Sequence, residues 1–232
     1  FRAVLERHRA PWGRWPASLQ HGALADDDYA PEVQNYHLYA QWIVHEQLRA
    51  LAEKARQTGT RLYLDLPLGV HPDSYDVWRE RELFARDASA GAPPDPFFTR
   101  GQNWGFPPLN PRALREQRYR YTIACLRSHL QYAGILRLDH VMSLHRLFWV
   151  PLGFDPVDGV YVRYPADELY AILCLESHRH RALIVGEDLG TVSRAVRATM
   201  ERRRIQRMHV VQFEIAPGAD PPLPPVPEAA VA

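Results

Sequence analysis

Three short apolar runs each end in an acidic residue, and this pattern constrains the fold more than any other feature of the chain. ILRLDH from Ile135 to His140 ends on Asp139, ALIVGED from Ala182 to Asp188 delivers Glu187, and RLYLDLP from Arg61 to Pro67 delivers Asp65 before Pro67 stops the run. A strand buried on both faces reads as an almost continuous apolar stretch, and in a parallel barrel its C-terminal end opens onto the active site. A carboxylate placed there is costly unless it is hydrogen-bonded or has a chemical task. A single strand-end acid is equally well explained as a hydrogen-bonded structural group. The pair Asp139 and Glu187 instead points to acid/base or nucleophilic chemistry.

The segments between these runs read as helices. Apolar residues recur at helical spacing from Val33 to Gln57, with Gly59 as the C-cap, and again from Pro111 to Ala133, with Gly134 ending the run. Tyr164 to Arg181 is expected to be helical. A further helix begins at a Thr191 N-cap, and the basic run Arg202 to Arg204 complements its C-terminal dipole. The segment from Met208 to Ile215 reads as the next strand. Strand and helix thus alternate, which implies right-handed βαβ units and a parallel sheet in an α/β fold. Four strands are visible where a (β/α)8 barrel needs eight. The chain is therefore expected to form, over residues 1–232, the central part of one barrel, roughly strands 3 to 6. The remaining strands would lie before Phe1 and after Ala232, with 217–232 as a Pro-rich loop leading on to them. Residues 1–32 read as a loop-rich lead-in containing PWGRWP and Asp26 to Asp28. Residues 87–111 carry so many prolines and glycines that no regular element is expected through them. Loops of that length in a compact domain are usually functional. Its aromatics Phe97, Phe98, Trp104 and Phe106 suit either packing onto the domain or stacking on a sugar ring.

Composition excludes several classes of partner. Among 232 residues, 28 Lys and Arg face 27 Asp and Glu, so no charge excess points to nucleic acid, an anionic membrane or a polyanionic substrate. A hydrophobic content of 46% supports a real core. The 2 cysteines, Cys125 and Cys174, sit in separate helical stretches and suggest neither a disulfide framework nor a zinc site, which fits a reduced, cytoplasmic compartment. No apolar run is long enough to span a membrane. The 11 histidines are scattered, and His178 and His180 flank Arg179 on a helix read as offering no carboxylate at ligand spacing, so no metal site is expected.

Four segments in order resemble the 4-α-glucanotransferases of glycoside hydrolase family 77. They are DLPLGVHPDSYDVW from Asp65 to Trp78, APPDPFFTRGQNWGFP from Ala92 to Pro107, LRLDH from Leu136 to His140 and VGEDLG from Val185 to Gly190. The resemblance covers about Trp12 to Phe213, and the joint occurrence of the four is what makes it specific. It implies a barrel with an inserted lid loop, and no organic cofactor. It also implies transfer of α-1,4-glucan segments between maltooligosaccharides by a retaining double displacement. Carried over residue by residue, it makes Asp139 the nucleophile, Glu187 the general acid/base and Arg137 the cation that keeps the nucleophile charged. His140, Asp65 and the lid residues Asp95, Phe97, Phe98 and Trp104 become substrate contacts. Alternation along a strand independently puts Arg137 and Asp139 on one face.

Two departures from the family pattern matter. Pro96 stands where many relatives place an aromatic. The family's third carboxylate, in an Asn-Thr-His-Asp segment after strand 6, does not occur in these residues. Two other readings therefore stay open: an inactive α-glucan-binding fragment lacking that acid, and an amylase-type α-glucan hydrolase, which shares the Arg-x-Asp and Glu pattern without the lid.

Overall fold

Each of the three acid-tipped runs forms a strand, and the three lie side by side. The computed structural model describes residues 1–215, 218, 225–228 and 230–231. Its strands in chain order are β1 (Tyr63–Leu66), β2 (Ala88–Ala92), β3 (Gln102–Asn103), β4 (Ile135–Leu138), β5 (Arg146–Pro151), β6 (Val160–Arg163), β7 (Leu183–Gly186), β8 (Gln206–Met208) and β9 (Ala230–Val231). The helices are α1 (Arg2–His8), α2 (Ala17–Gln20), α3 (Pro31–Gln57), α4 (Tyr75–Arg79), α5 (Pro111–Glu116), α6 (Arg120–Leu130), α7 (Ala166–His180), α8 (Arg194–Arg202) and α9 (Val211–Glu214). They divide into two units: residues 1–58, 69–121 and 148–161 form the first, and 59–68, 122–147 and 162–232 the second.

The second unit is built on a parallel sheet ordered β1-β4-β7-β8-β9. Asp65 is in register with Arg137, and Arg137 with Val185. Side chains alternate across a strand, so each strand serves two environments. Leu64, Leu66, Leu136, Leu138 and Ile184 face one side and join Leu126 and Leu130 of α6, Tyr170 and Leu173 of α7, and Val196 and Met200 of α8 in one core. Asp65, Arg137, Val185 and, past the strand ends, Asp139 and Glu187 face the other. At the helix layer, buried Glu176 of α7 accepts two 2.9 Å bonds from Arg127 of α6 and one from Arg179. The Arg127 bonds are the main cause holding this carboxyl below its ordinary pKa, so the contact between α6 and α7 is charged as well as apolar.

The first unit carries an antiparallel sheet ordered β3-β2-β5-β6, in which Gly91 is opposite Asn103 and Ala90 opposite Trp149. Its core is aromatic. The rings of Phe1, Trp15 and Trp78 lie 5.3 to 6.3 Å apart. Burying an indole is favourable only when its N–H finds an acceptor. Trp12 donates to the Pro72 carbonyl, Trp15 to Ala10 and Trp78 to Leu19.

The structure departs from the sequence expectations at several points. The lead-in 1–32 contains α1, α2 and the start of α3, because ring packing holds helices too short to show a periodicity. The segment 87–111 contains β2 and β3, since Ala88–Ala92 lies before the first of its prolines. The run Pro111 to Ala133 breaks into α5 and α6 where Arg118 and Tyr119 adopt φ of 52° and 57°. Ser193, not Thr191, caps α8, accepting from Val196 N–H. The strand expected at Met208 to Ile215 ends at Met208, and Val211–Glu214 is helical. Of the loop expected at 217–232, residues 217, 219–224, 229 and 232 lie outside the described residues, and Ala230–Val231 forms β9, a pair too short for its pattern to register in sequence. Among the described residues no helix is long and apolar enough to cross a membrane.

One glycine fixes how closely the layers approach at the end of β7. A Cβ on Gly186 would sit 2.9 Å from both the Val141 Cγ2 and the Met200 Cε. Met200 can swing its terminal methyl aside, but Val141 is branched and its N–H is bound to the Glu187 carbonyl at 3.0 Å. Gly186→Ala should therefore destabilise by about 1–3 kcal/mol through overpacking. A denaturant midpoint lowered with unchanged slope would show it, and an unchanged midpoint would mean the turn at Val141 yields freely.

Candidate active site

The parallel register carries five of the predicted residues to one end of one sheet. The ladder continues past the assigned strands, with Asp139 N–H bonded to the Leu66 carbonyl and Glu187 N–H to the Leu138 carbonyl. Asp139 and Glu187 thus stand on adjacent strands at the same level and on the same face. Arg137 lies one step below and links the carboxylates beside it. Its Nη1 donates to Asp65 Oδ1 at 2.7 Å, and its Nη2 lies 2.8 Å from Asp139 Oδ1. Its Nε approaches the Met208 Sδ at 3.3 Å. Burial of the guanidinium works against its charge, but Asp65 and Asp139 outweigh that effect and raise its pKa.

Glu187 has a different environment. Its side chain is 10% exposed, against 37% for that of Asp139. Burial pushes its pKa up, and the nearby Asp139 charge adds to the rise. Two backbone donors oppose this: Leu189 N–H reaches Oε1 at 2.8 Å and His140 N–H reaches Oε2 at 2.9 Å. The second donor lies on the Asp139–His140 peptide unit, and His140 itself adopts the left-handed conformation, φ 48° and ψ 60°, which turns the chain away just after it. The His140 ring has its pKa lowered by burial, with Asp139 opposing, so its Nδ1 at 4.0 Å from Glu187 Oε2 is a neutral contact at pH 7. Two carboxylates on one face thus experience opposite surroundings, one paired with a cation and half-exposed, the other desolvated.

Asp95, Phe97, Phe98 and Trp104 belong to the first unit. Asp95 Oδ1 accepts from the N–H groups of Phe97 at 2.8 Å and Phe98 at 2.6 Å, so this acid shapes the tip of its own loop. Phe97 is 92% exposed. Trp104 stacks on Phe106 at 6.2 Å and donates to Gln102. The loop is thus built around its own hydrogen bonds and leaves one ring free of packing.

Sequence reasoning missed three contributors. Tyr63 shares a face with Asp65, and its phenol has a pKa raised by burial, with Arg137 opposing. Met208 and the His140 backbone were also unforeseen. Period-two alternation back from Asp65 pointed to Tyr63; nothing in the sequence announces a backbone donor in a left-handed turn.

Comparison with known proteins places this geometry in a lineage. The family model described as 4-alpha-glucanotransferase matches residues 1–232. The 4-alpha-glucanotransferase of Mycobacterium tuberculosis strain H37Rv is 41% identical over 219 residues, covering 91% of this chain and 30% of that protein. That of Haemophilus influenzae is 40% identical over 234 residues, covering 98% and 33%. The chain therefore spans about a third of the length of these curated relatives. Among solved structures, the amylomaltase of Corynebacterium glutamicum superposes with a TM-score of 0.79 at 34% identity, over 94% of this chain and 30% of that one. An amylomaltase of Streptococcus agalactiae, solved in complex with acarbose, gives a TM-score of 0.80 at 24% identity over 92% of this chain and 45% of that one, a likeness of fold alone. The parallel sheet is accordingly an arc of a glycosidase-type (β/α)8 barrel. By the match over its whole length, the chain belongs to the 4-alpha-glucanotransferase family, glycoside hydrolase family 77.

Proposed function

We propose that this chain contributes the nucleophile and the acid/base of a 4-α-glucanotransferase, which moves α-1,4-glucan segments between maltooligosaccharides by a retaining double displacement. The observation that carries the reading is the contrast between two carboxyls on one face: Asp139 beside the Arg137 guanidinium, and Glu187 desolvated with a raised pKa. A retaining mechanism needs one group that attacks as an anion and one that begins protonated. Asp139 attacks the anomeric carbon, and the bond to the leaving sugar's oxygen breaks as Glu187 delivers its proton. Glu187, now a carboxylate, then takes the proton from the incoming sugar hydroxyl, which displaces Asp139 and restores the starting state.

Adjacent-strand placement supports this assignment. Neighbouring strands are about 4.8 Å apart. A retaining pair needs about 5 to 5.5 Å between carboxyl groups, too little for a water between nucleophile and sugar. In this reading Asp65 serves first as a second counter-ion for Arg137, His140 as a neutral partner for a sugar hydroxyl, and Asp95, Phe97, Phe98 and Trp104 as the lid that favours a sugar acceptor over water. The family membership supports an α-glucan as substrate. Cys125 and Cys174 stand in separate helices, α6 and α7, with no disulfide between them, and this usage supports a reducing, cytoplasmic setting.

Substitution in the full-length protein separates the two roles. Asp139→Asn should remove transfer from maltotriose by several orders of magnitude, roughly 10³-fold or more, since the covalent route is lost for every donor. Glu187→Gln should also lose activity toward maltotriose, but should form the glycosyl-enzyme from maltosyl fluoride, whose leaving group needs no proton. Equal behaviour of both variants toward the fluoride would sink the assignment.

The pH dependence follows from the direction of the Glu187 shift. Its acid form is required for the first step and its pKa is raised, so kcat/KM should fall as pH rises through a value above the ordinary carboxylate range of about 4.3. That basic limb should be absent when Glu187→Gln is assayed with maltosyl fluoride. A limb that persists there would assign the titrating acid elsewhere.

A further inference from the structure

The residue after Glu187 points the opposite way and is buried more deeply. Asp188 is 2% exposed and lies on the far side of the strand end. Its Oδ2 accepts from Arg207 Nε of β8 at 2.6 Å and lies 3.4 Å from Arg197 Nε of α8. Its Oδ1 has no hydrogen-bond partner among the described residues. A buried carboxylate left half-satisfied is a poor device for stability, because an apolar side chain of similar size would fill the space without the desolvation cost. What the charge adds is direction: two cations from two different elements hold one side chain in one place.

That side chain belongs to the peptide whose N–H matters. β7 ends at Gly186, the Glu187 carbonyl still accepts from Val141 N–H at 3.0 Å, and one peptide further on Leu189 N–H donates to Glu187 Oε1 at 2.8 Å. The donor is on the Asp188–Leu189 peptide unit. We infer that Asp188, clamped by Arg207 and Arg197, is a positioning residue that aims the Leu189 N–H at the Glu187 carboxyl. It touches no substrate. It sets how strongly the charged form of Glu187 is stabilised, and so the balance between acid and base in the two half-reactions.

This inference rests on the proposed acid/base role of Glu187 for its catalytic meaning, and its test reads Glu187 directly. In the full-length protein labelled with 15N-leucine and with 13C at the glutamate carboxyls, the Leu189 amide and the Glu187 carboxyl are followed by NMR against pH, in wild type, Asp188→Asn and Asp188→Ala. Asp139, Arg137 and His140 also face Glu187 and are the same in all three proteins. In wild type the Leu189 amide shift should follow the Glu187 titration. In both variants that correlation should be lost and the Glu187 midpoint should rise, because a donor favouring the charged form has been removed. Transfer from maltotriose should lose about tenfold or more in kcat with KM changed by less than about twofold. Arg207→Lys, which keeps a cation beside Asp188, should retain the wild-type correlation and midpoint. A folded Asp188→Asn protein with both unchanged overturns the inference. Should neither Asp188 variant fold, Arg207→Gln takes their place: loss of the correlation with a raised midpoint supports the clamp, and no change in either overturns it. A wild-type protein without transfer activity would overturn the transferase reading, while the NMR titrations would still decide the role of Asp188.

Discussion

Everything at the candidate site depends on the register of β4 against its neighbours. Arg137 is level with Asp65 on one side and Val185 on the other, which brings Asp139 level with Glu187 beyond the strand ends. A slip of one residue would turn a whole strand's acid to the helix layer and its leucines to the site. A slip of two would keep the faces but separate the carboxyl-bearing residues by a further 6 to 7 Å or so along the strand, into the range suited to an inverting pair. Leu136, fully buried between the sheet and the helices, and Gly186, which leaves room for Val141, therefore shape the candidate site as much as the acids do.

Glu187 illustrates how opposing effects can be tuned rather than maximised. Burial alone would favour its neutral form throughout, whereas two backbone N–H bonds favour the anion. The acid/base role proposed for Glu187, giving a proton and then taking one, is served by neither extreme. Burial is the larger influence and the N–H bonds oppose it, so the shift is upward.

The acids, the order of the parallel strands and the helices α3 and α7 were legible because they leave periodic signals: Leu64, Leu66, Leu136 and Leu138 alternate with Asp65, Arg137 and Asp139 in the sequence itself. The antiparallel sheet of the first unit was not. β2 is the small-residue run ASAGA, and it follows from pairing with β5 rather than from any propensity of its own. The end of β8 was hidden for a related reason, since the alternation from Met208 to Ile215 suits a strand, whereas Val211–Glu214 forms one helical turn. At the site, side chains could be named in advance and backbone donors could not. The N–H of His140 stands at the start of a turn in which His140 has a φ of 48°, and no residue type encodes such a turn unambiguously.

The position of Arg137 between Asp65 and Asp139 has a consequence for an enzyme of the proposed kind. Formation of a glycosyl ester cancels the charge of Asp139, and a guanidinium with a single anionic neighbour would then be stranded in a poorly solvated place. Here Asp65 remains at 2.7 Å, so the cation keeps a counter-charge through the whole cycle. The covalent state is then not raised in free energy by an orphaned ion. A longer-lived ester gives a slow-diffusing oligosaccharide time to arrive, and an arginine shared by two acids becomes a timing element as well as an anchor.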